Sequence, residues 1–316
     1  MRISTNLMFE KATKQMTSSQ TNLAKSQAQL AQGKQVINPS DAPDQASTMQ
    51  RLKSIMTRQA SYQAALNSVQ TRLQGEESTL QSVSDLLIRA KEVAVQASND
   101  TLSPSNRKAL GVELQVLRDQ MLSLANTKDS SGNYIFGGSR VSSPPFVAMA
   151  GGSPQYVGDQ TRMNVMVGEN RSMQINRSGT DVFSPVNRTL PDGSSQGVGF
   201  FNVMDDLIKG VNNSDRKLMS GGVGEMDQLL EGVTFSQSNI GSGLKSIDQQ
   251  NSVIEDTVLD LTTTLSAVED LDYTKAITKM NQQMMALEAA QSSFAKISQL
   301  SLFNFIKFLW LNNCSD

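Results

Sequence analysis

Apolar residues recur at seven-residue intervals in two stretches of the chain, and the stretch between them lacks the pattern. Leu52, Gln59, Leu66, Leu73, Leu80, Leu87 and Ala94 form one line; Ile55, Tyr62, Val69, Glu76, Val83, Ala90 and Ala97 form another three residues on. Later, Val233, Ile240, Ile247, Ile254, Leu261 and Val268 run beside Leu244, Asn251, Val258 and Leu265. Such spacing keeps one stripe of a long helix turned toward a partner helix. From Asp44 to Ser98 it predicts a rod of roughly 80 Å, at about 1.5 Å per residue.

Thinner seams mark both ends. Phe9, Met16, Leu23 and Leu30 are spaced by seven, with Ala12, Ser19, Ser26 and Gly33 beside them, which predicts a first helix from about Thr5 to Gln32. Tyr273, Met280, Leu287 and Phe294 repeat the spacing near the other end, with Ile277, Met284, Ala290 and Ile297 alongside. Between the first helix and the rod, Ser40 or Asp41 can cap the next helix and Pro43 suits its first turn. Ser103-Pro104 is a second cap-then-proline start, for a helix carrying Leu110, Leu114, Leu117, Met121 and Leu124 that should lie antiparallel to the rod.

From Asp129 to about Gly222 the texture is Gly, Pro, Ser and Asn with short β-prone runs: Tyr134 to Phe136, Gln155 to Val157, Asn164 to Val167, Ser172 to Ile175 and Val198 to Val203. Helical periodicity resumes near Met226. The fold class is therefore mainly α with an inserted β domain, a long antiparallel helical bundle being formed by both termini. Three layers are expected: terminal assembly helices at 1–40 and 270–316, a bundle at 41–131 and 223–269, and an outer β-rich domain at 132–222.

A terminal helix with four large apolar residues is marginal alone. Burying each stabilises by about 1.5 to 3 kcal/mol, whereas ordering a residue's backbone costs about 1 to 2 kcal/mol. Both terminal segments should be disordered in a free monomer and fold against neighbouring copies. Phe9, Met16, Leu23, Leu30, Tyr273, Met280, Leu287 and Phe294 are the candidate packing residues between subunits and between terminal helices. Leu52, Ile55, Leu66, Leu73, Leu80, Leu87, Ile240, Ile247, Ile254 and Leu261 are the candidate bundle seam.

Composition narrows the function. The chain has 316 residues, 38% of them apolar, with 28 basic against 30 acidic residues, so charge gives no argument for nucleic acid or for an anionic membrane. There is no histidine and one cysteine, Cys314, which removes histidine-based nucleophile systems, the usual zinc ligands and any internal disulfide. No cofactor or metal is expected. The first residues lack a signal peptide's apolar run, and no window is long and apolar enough to span a bilayer. The protein is expected to stay in the cytoplasm or to leave by a route that cleaves no signal.

Sharper readings have plainer rivals. Gly241-Ser242-Gly243-Leu244-Lys245-Ser246 has the look of a phosphate loop but lies on the Ile240, Leu244, Ile247 seam, where helix packing accounts for it. Asp270 and Asp272 sit at a link between helices, where acids serve as caps. Asn176-Arg177-Ser178 and Asn187-Arg188-Thr189 fit a glycosylation sequon. Basic residues Arg2, Lys11, Lys14, Lys25 and Lys34 near the start, and acids Glu255, Asp256, Asp260, Glu269, Asp270 and Asp272 near the end, could face one another across subunits or lie on solvated faces.

Several segments resemble the flagellin family. At the start these are Met1-Arg2-Ile3-Ser4-Thr5, the run from Leu23 to Lys34, and Pro39-Ser40-Asp41-Ala42-Pro43; near the end, Ile240-Gly241-Ser242 and Val268-Glu269-Asp270-Leu271-Asp272-Tyr273. Within the family, Asn133-Tyr134-Ile135-Phe136-Gly137-Gly138 followed by Pro144-Pro145-Phe146, and Ser301-Leu302-Phe303-Asn304, are similar to the junction type found between hook and filament. Gly243 stands where the family commonly has an arginine, and the tail from Lys307 to Asp316, with Trp310, runs past the usual end.

The resemblance implies a secreted structural subunit of the extracellular flagellum, unfolded for type III export with a cytoplasmic chaperone. It implies a homo-oligomeric ring, a hook-associated protein on the hook side and flagellin on the filament side. A minor or variant filament flagellin is the alternative; a long-helix enzyme or an intracellular coiled-coil module finds no reactive constellation to support it.

Overall fold

The computed structural model describes the backbone of residues 2–149, 152–190 and 193–312, and the side chains of 7–149, 152–190 and 193–296. The expectations placed on the side chains of Ile297, the 301–304 segment, Trp310 and Cys314 lie outside the described residues.

Helix α1 (Arg2–Gln32) stops at Gly33, whose φ of +67° is a left-handed helix end. The Lys34 amide closes that end by donating to the Gln29 carbonyl at 3.2 Å. A 3₁₀ turn, Pro39–Asp41, follows. The sequence reading has Ser40 or Asp41 capping the next helix; instead Asp41 closes its own turn by accepting from the Asn38 amide at 3.1 Å, and pairs with Lys25 of α1 at 2.8 Å. These two contacts, Lys25 first, hold the Asp41 carboxyl below its ordinary range. Helix α2 (Pro43–Ala97) then opens on a proline whose missing amide hydrogen would have had no partner there.

Ser103 caps α3 (Pro104–Ala125) by accepting from the Asn106 amide. Buried Arg107 ties the ends together: its guanidinium donates to the Ala97 and Asn99 carbonyls at 3.0 and 3.1 Å and to Ser214 Oγ at 3.0 Å. It thereby satisfies the last carbonyl of α2, at Ala97, and one in the turn beyond it, at Asn99.

The middle of the chain departs from expectation in three places. Tyr134 to Phe136 is not a strand, because the glycine pair behind it turns the chain at Gly138, φ +69°. Val198 to Val203 divides between a strand end and helix α5 (Phe200–Asn213), where Phe200, Val203, Met204, Leu207 and Val211 are buried at helical spacing. Helix α6 (Arg216–Glu269) starts ten residues before Met226. Buried Met219 and Met226 carry the Val233, Ile240, Ile247, Ile254 line back toward its start.

The strands among the described residues form three antiparallel hairpins, each a separate sheet: β1 (Phe146–Ala148) with β2 (Pro154–Tyr156), β3 (Asn164–Gly168) with β4 (Arg171–Gln174), and β5 (Val186–Thr189) with β6 (Ser195–Val198). A short helix α4 (Gly179–Val182) precedes β5. Two-stranded ribbons bury little on their own. An aromatic cluster supplies the core instead: Phe136, Phe146, Tyr156, Phe183, Phe200 and Phe201, with neighbouring ring centroids 5.1 to 6.2 Å apart.

The chain forms two compact units, residues 1–57 with 257–316, and residues 58–256. Within the second unit, polar contacts join the segment expected as an outer domain (132–222) to the segment expected as bundle (41–131 and 223–269): Arg171 donates to Gln250 and Ser246 of α6, and Ser236 of α6 donates to the Asp181 carbonyl. Helix α7 (Tyr273–Asn312) completes the first unit.

Candidate assembly interface

Helices α1 and α7 lie antiparallel within the first unit, Phe9 meeting Phe294 at one end and Gly33 meeting Tyr273 at the other. The Phe9 and Phe294 ring centroids are 4.7 Å apart. Met16, Leu23, Leu30, Met280, Leu287 and Phe294 are half-buried, as are Ala12, Ser19 and Ala290. The seams proposed for assembly thus sit on one another inside a single chain. Phe9 and Tyr273 keep 42% and 54% of their surface exposed, so the seam is only partly closed.

A joint fixes the end of this pair. The Leu271 amide donates to the Gly33 carbonyl at 3.0 Å and the Gln35 amide to the Glu269 carbonyl at 2.8 Å. The Glu269 carboxylate, buried, takes Lys34 at 2.6 Å and Lys53 of α2 at 3.1 Å. The Lys34 contact, aided by Lys53, holds Glu269 below its ordinary range against the opposing effect of burial, and the same contact raises Lys34. Asp272 caps α7 by accepting from the Lys275 amide at 3.1 Å. Of the charges set out along the sequence, Lys25 and Lys34 thus find acids in their own chain.

Along the bundle seam, Leu52, Leu66, Leu73, Leu80, Leu87, Ile240, Ile247 and Ile254 are buried, while Ile55 and Leu261 are half-buried. Polar pairs tie α2 to α6 on the flanks, Gln63 donating to Asn251 at 3.0 Å and Lys91 reaching Asp227. Gly243 faces Leu73, so a β-carbon there would stand 3.2 Å from Leu73 Cδ1. The whole Gly241 to Ser246 segment is helical.

One seam position is occupied by an acid. Glu76 is fully buried, with Arg72 Nε 3.5 Å from Oε1 and Arg177 Nε 3.3 Å from Oε2. Burial pushes its carboxyl up to about 7, although the positive charges of Arg72 and then Arg177 pull it down. Its place in an apolar line marks it as unusual in the sequence; Arg177, its second partner, carries no such mark.

The Asn133 to Gly138 motif is also an arrangement in space. Ile135 and Phe136 are buried, and a β-carbon on Gly138 would lie 2.2 Å from the Asp159 carbonyl oxygen. Asp159 accepts from the Ser139 hydroxyl and from the Ser139 and Thr161 amides, the amides both at 2.9 Å; these contacts, the hydroxyl first, hold its carboxyl far below the ordinary range. Tyr156 donates to the Asp159 carbonyl at 2.7 Å. In the sequon at Asn176, the side chain is buried and bonded to the Met163 amide and the Thr161 carbonyl; Asn187 is exposed on β5.

The terminal pair leaves a second apolar stripe open. Ile277 and Met284 lie seven apart on α7, beside the seam that meets α1, and are 46% and 41% exposed. Met285, Leu7 and Met8 are more exposed still. Among the described residues no helix is long and apolar enough to cross a membrane, and no group of acids, histidines and cysteines is arranged to hold a metal ion.

Comparison with known proteins gives the same two arms. Residues 3–140 match the bacterial flagellin N-terminal helical region, and residues 223–306 match the C-terminal helical region. Flagellar hook-associated protein 3 of Escherichia coli K12 is 31% identical over 97% of this chain and 100% of its own length. The protein of the same name from Salmonella typhimurium LT2 is 30% identical over 96% and 99%. In fold, the crystal structure of Xanthomonas campestris FlgL covers 69% of this chain and 99% of its own, with a TM-score of 0.60 at 23% identity. This chain belongs to the flagellin family, in its flagellar hook-associated protein 3 branch.

Proposed function

We propose that this chain is a structural subunit of the bacterial flagellum that forms the junction ring between hook and filament. It docks on a hook-associated protein on the hook side and offers flagellin a platform on which to polymerise. It reaches that place through the type III export apparatus, met by a cytoplasmic chaperone, and its segments 1–40 and 270–316 order as copies assemble. The observation that carries this reading is the open stripe of Ile277, Met284 and Met285 on a terminal pair whose seam is already half-used. Paired helices with one side of apolar surface left to water gain stability from a neighbour that covers it.

A ring subunit and a filament subunit differ in what they build alone. Purified protein should remain monomeric and bind isolated hooks; growth into long filaments unaided would support the variant-flagellin alternative instead. In cells, deleting the gene should leave hooks without filaments and flagellin in the medium, and normal filaments in that strain would overturn the junction assignment.

A further inference from the structure

Glu76 shares its seam with Val69, Leu73, Leu80 and Val83, all buried, and has no exposed surface of its own. Neither carboxylate oxygen accepts a hydrogen bond, and Nε of Arg72 and of Arg177 lacks an acceptor as well. An ionised carboxylate in that position gives up its hydration; the Arg72 and Arg177 guanidinium groups offset only part of that cost, and taking up a proton removes it. The charged groups that face it are Arg72, from its own helix, and Arg177, from the segment after β4.

The contact joins two parts of the same unit. Arg177 stands between Asn176 and Ser178, both buried; Asn176 bonds the Met163 amide and Thr161 carbonyl, and Ser178 Oγ lies 3.3 Å from the Tyr156 hydroxyl. Arg72 donates in addition to the Ile135 carbonyl, at 3.2 Å, in the segment leading into the hairpins. The two arginines thereby connect Glu76 to the chain on both sides of β1 to β4.

We propose that Glu76 is a proton-responsive clamp seating the hairpin region on α2: the carboxyl takes a proton from solvent as the Arg177 segment closes, so closure strengthens on acidification. The burial that raises this carboxyl to about 7 sets the range. The folded state binds the proton more tightly than an unfolded chain with its ordinary value of 4.5. The stabilisation is thus complete below that value and lost as pH rises through about 7. One proton of difference changes the folding constant by up to about tenfold per pH unit within that window. The chain contains no histidine, the side chain that ordinarily titrates there.

The test uses the full chain. Carboxyl-carbon NMR should show one glutamate titrating near 7, missing in Glu76→Gln, and the folding constant of the wild type should fall from pH 5 to 7 while that of Glu76→Gln stays level. Amide exchange at 134–136 and 176–178, corrected by the variant, should quicken over the same range. A Glu76 midpoint near the ordinary glutamate value, or equal pH slopes in wild type and variant, would overturn the proposal. Should Glu76→Gln fail to fold, the wild-type resonance, assigned by through-bond correlation, decides alone.

Discussion

Gly33 and Tyr273 approach so closely that a β-carbon on the glycine would stand 2.7 Å from the tyrosine hydroxyl. The glycine also holds φ at +67°, a conformation that costs a residue bearing a β-carbon about 1 to 2 kcal/mol. Gly33→Ala should therefore loosen the joint between α1 and α7 by at least that amount, read in assembled material as earlier proteolysis between residues 32 and 42. Adding Tyr273→Phe should recover the part due to collision and leave the backbone strain. Full recovery would show that φ contributes nothing.

Phe9 and Phe294 supply a second handle on the same pair. Their rings should couple by about 0.5 to 1.5 kcal/mol in a double-mutant cycle of Phe9→Ala and Phe294→Ala, measured by thermal melting of assembled material. Strict additivity would mean that neighbouring copies, rather than the partner helix, hold these rings in the assembly.

Glutamate at Ile277 and Met284 separates folding from assembly. Both side chains are substantially exposed, so the melting of the 58–256 unit should move by no more than about 0.5 kcal/mol. Binding to isolated hooks, followed by sedimentation, should be lost. Retained binding would place the contact on another face.

Glu269 gives a pH dependence opposite to that of Glu76. Its carboxyl is held below the ordinary value of 4.5, chiefly by Lys34, so its stabilisation is present above that value and drains away as pH falls past it. Glu269→Gln should remove this acid-side loss. The effect should stay below about 1 kcal/mol, because Lys34 and Lys53 keep 47% and 45% of their side-chain surface in water. Chemical denaturation of the first unit in assembled material between pH 3 and 6 measures it.

Much of the helical layout was legible because helices are set by contacts within a turn or two. The spacing of Leu66, Leu73 and Leu80 requires one buried stripe whatever the partner, and Phe9 to Leu30 faces Tyr273 to Phe294 on the same logic. The turn after α1 is less legible, since Asp41 serves as cap or ion-pair partner according to where Lys25 stands. The run around Phe200 and Phe201 predicts a strand because a six-residue window favours aromatics in sheets; the helix there is set by burial in a six-ring cluster gathered from residues 136 to 201.

By itself the sequence determined the long helices, the thin terminal seams, the absence of histidine chemistry and the family-bearing motifs, all properties of local spacing and composition. Tertiary structure decided which stripe of α7 is covered and which is open, and that Glu76 lies between the guanidinium groups of Arg72, four positions before it, and Arg177, 101 positions after it. Periodicity fixes the direction in which a side chain points along its own helix. What stands opposite it, and how much water remains there, depends on chain segments that approach only when the fold closes.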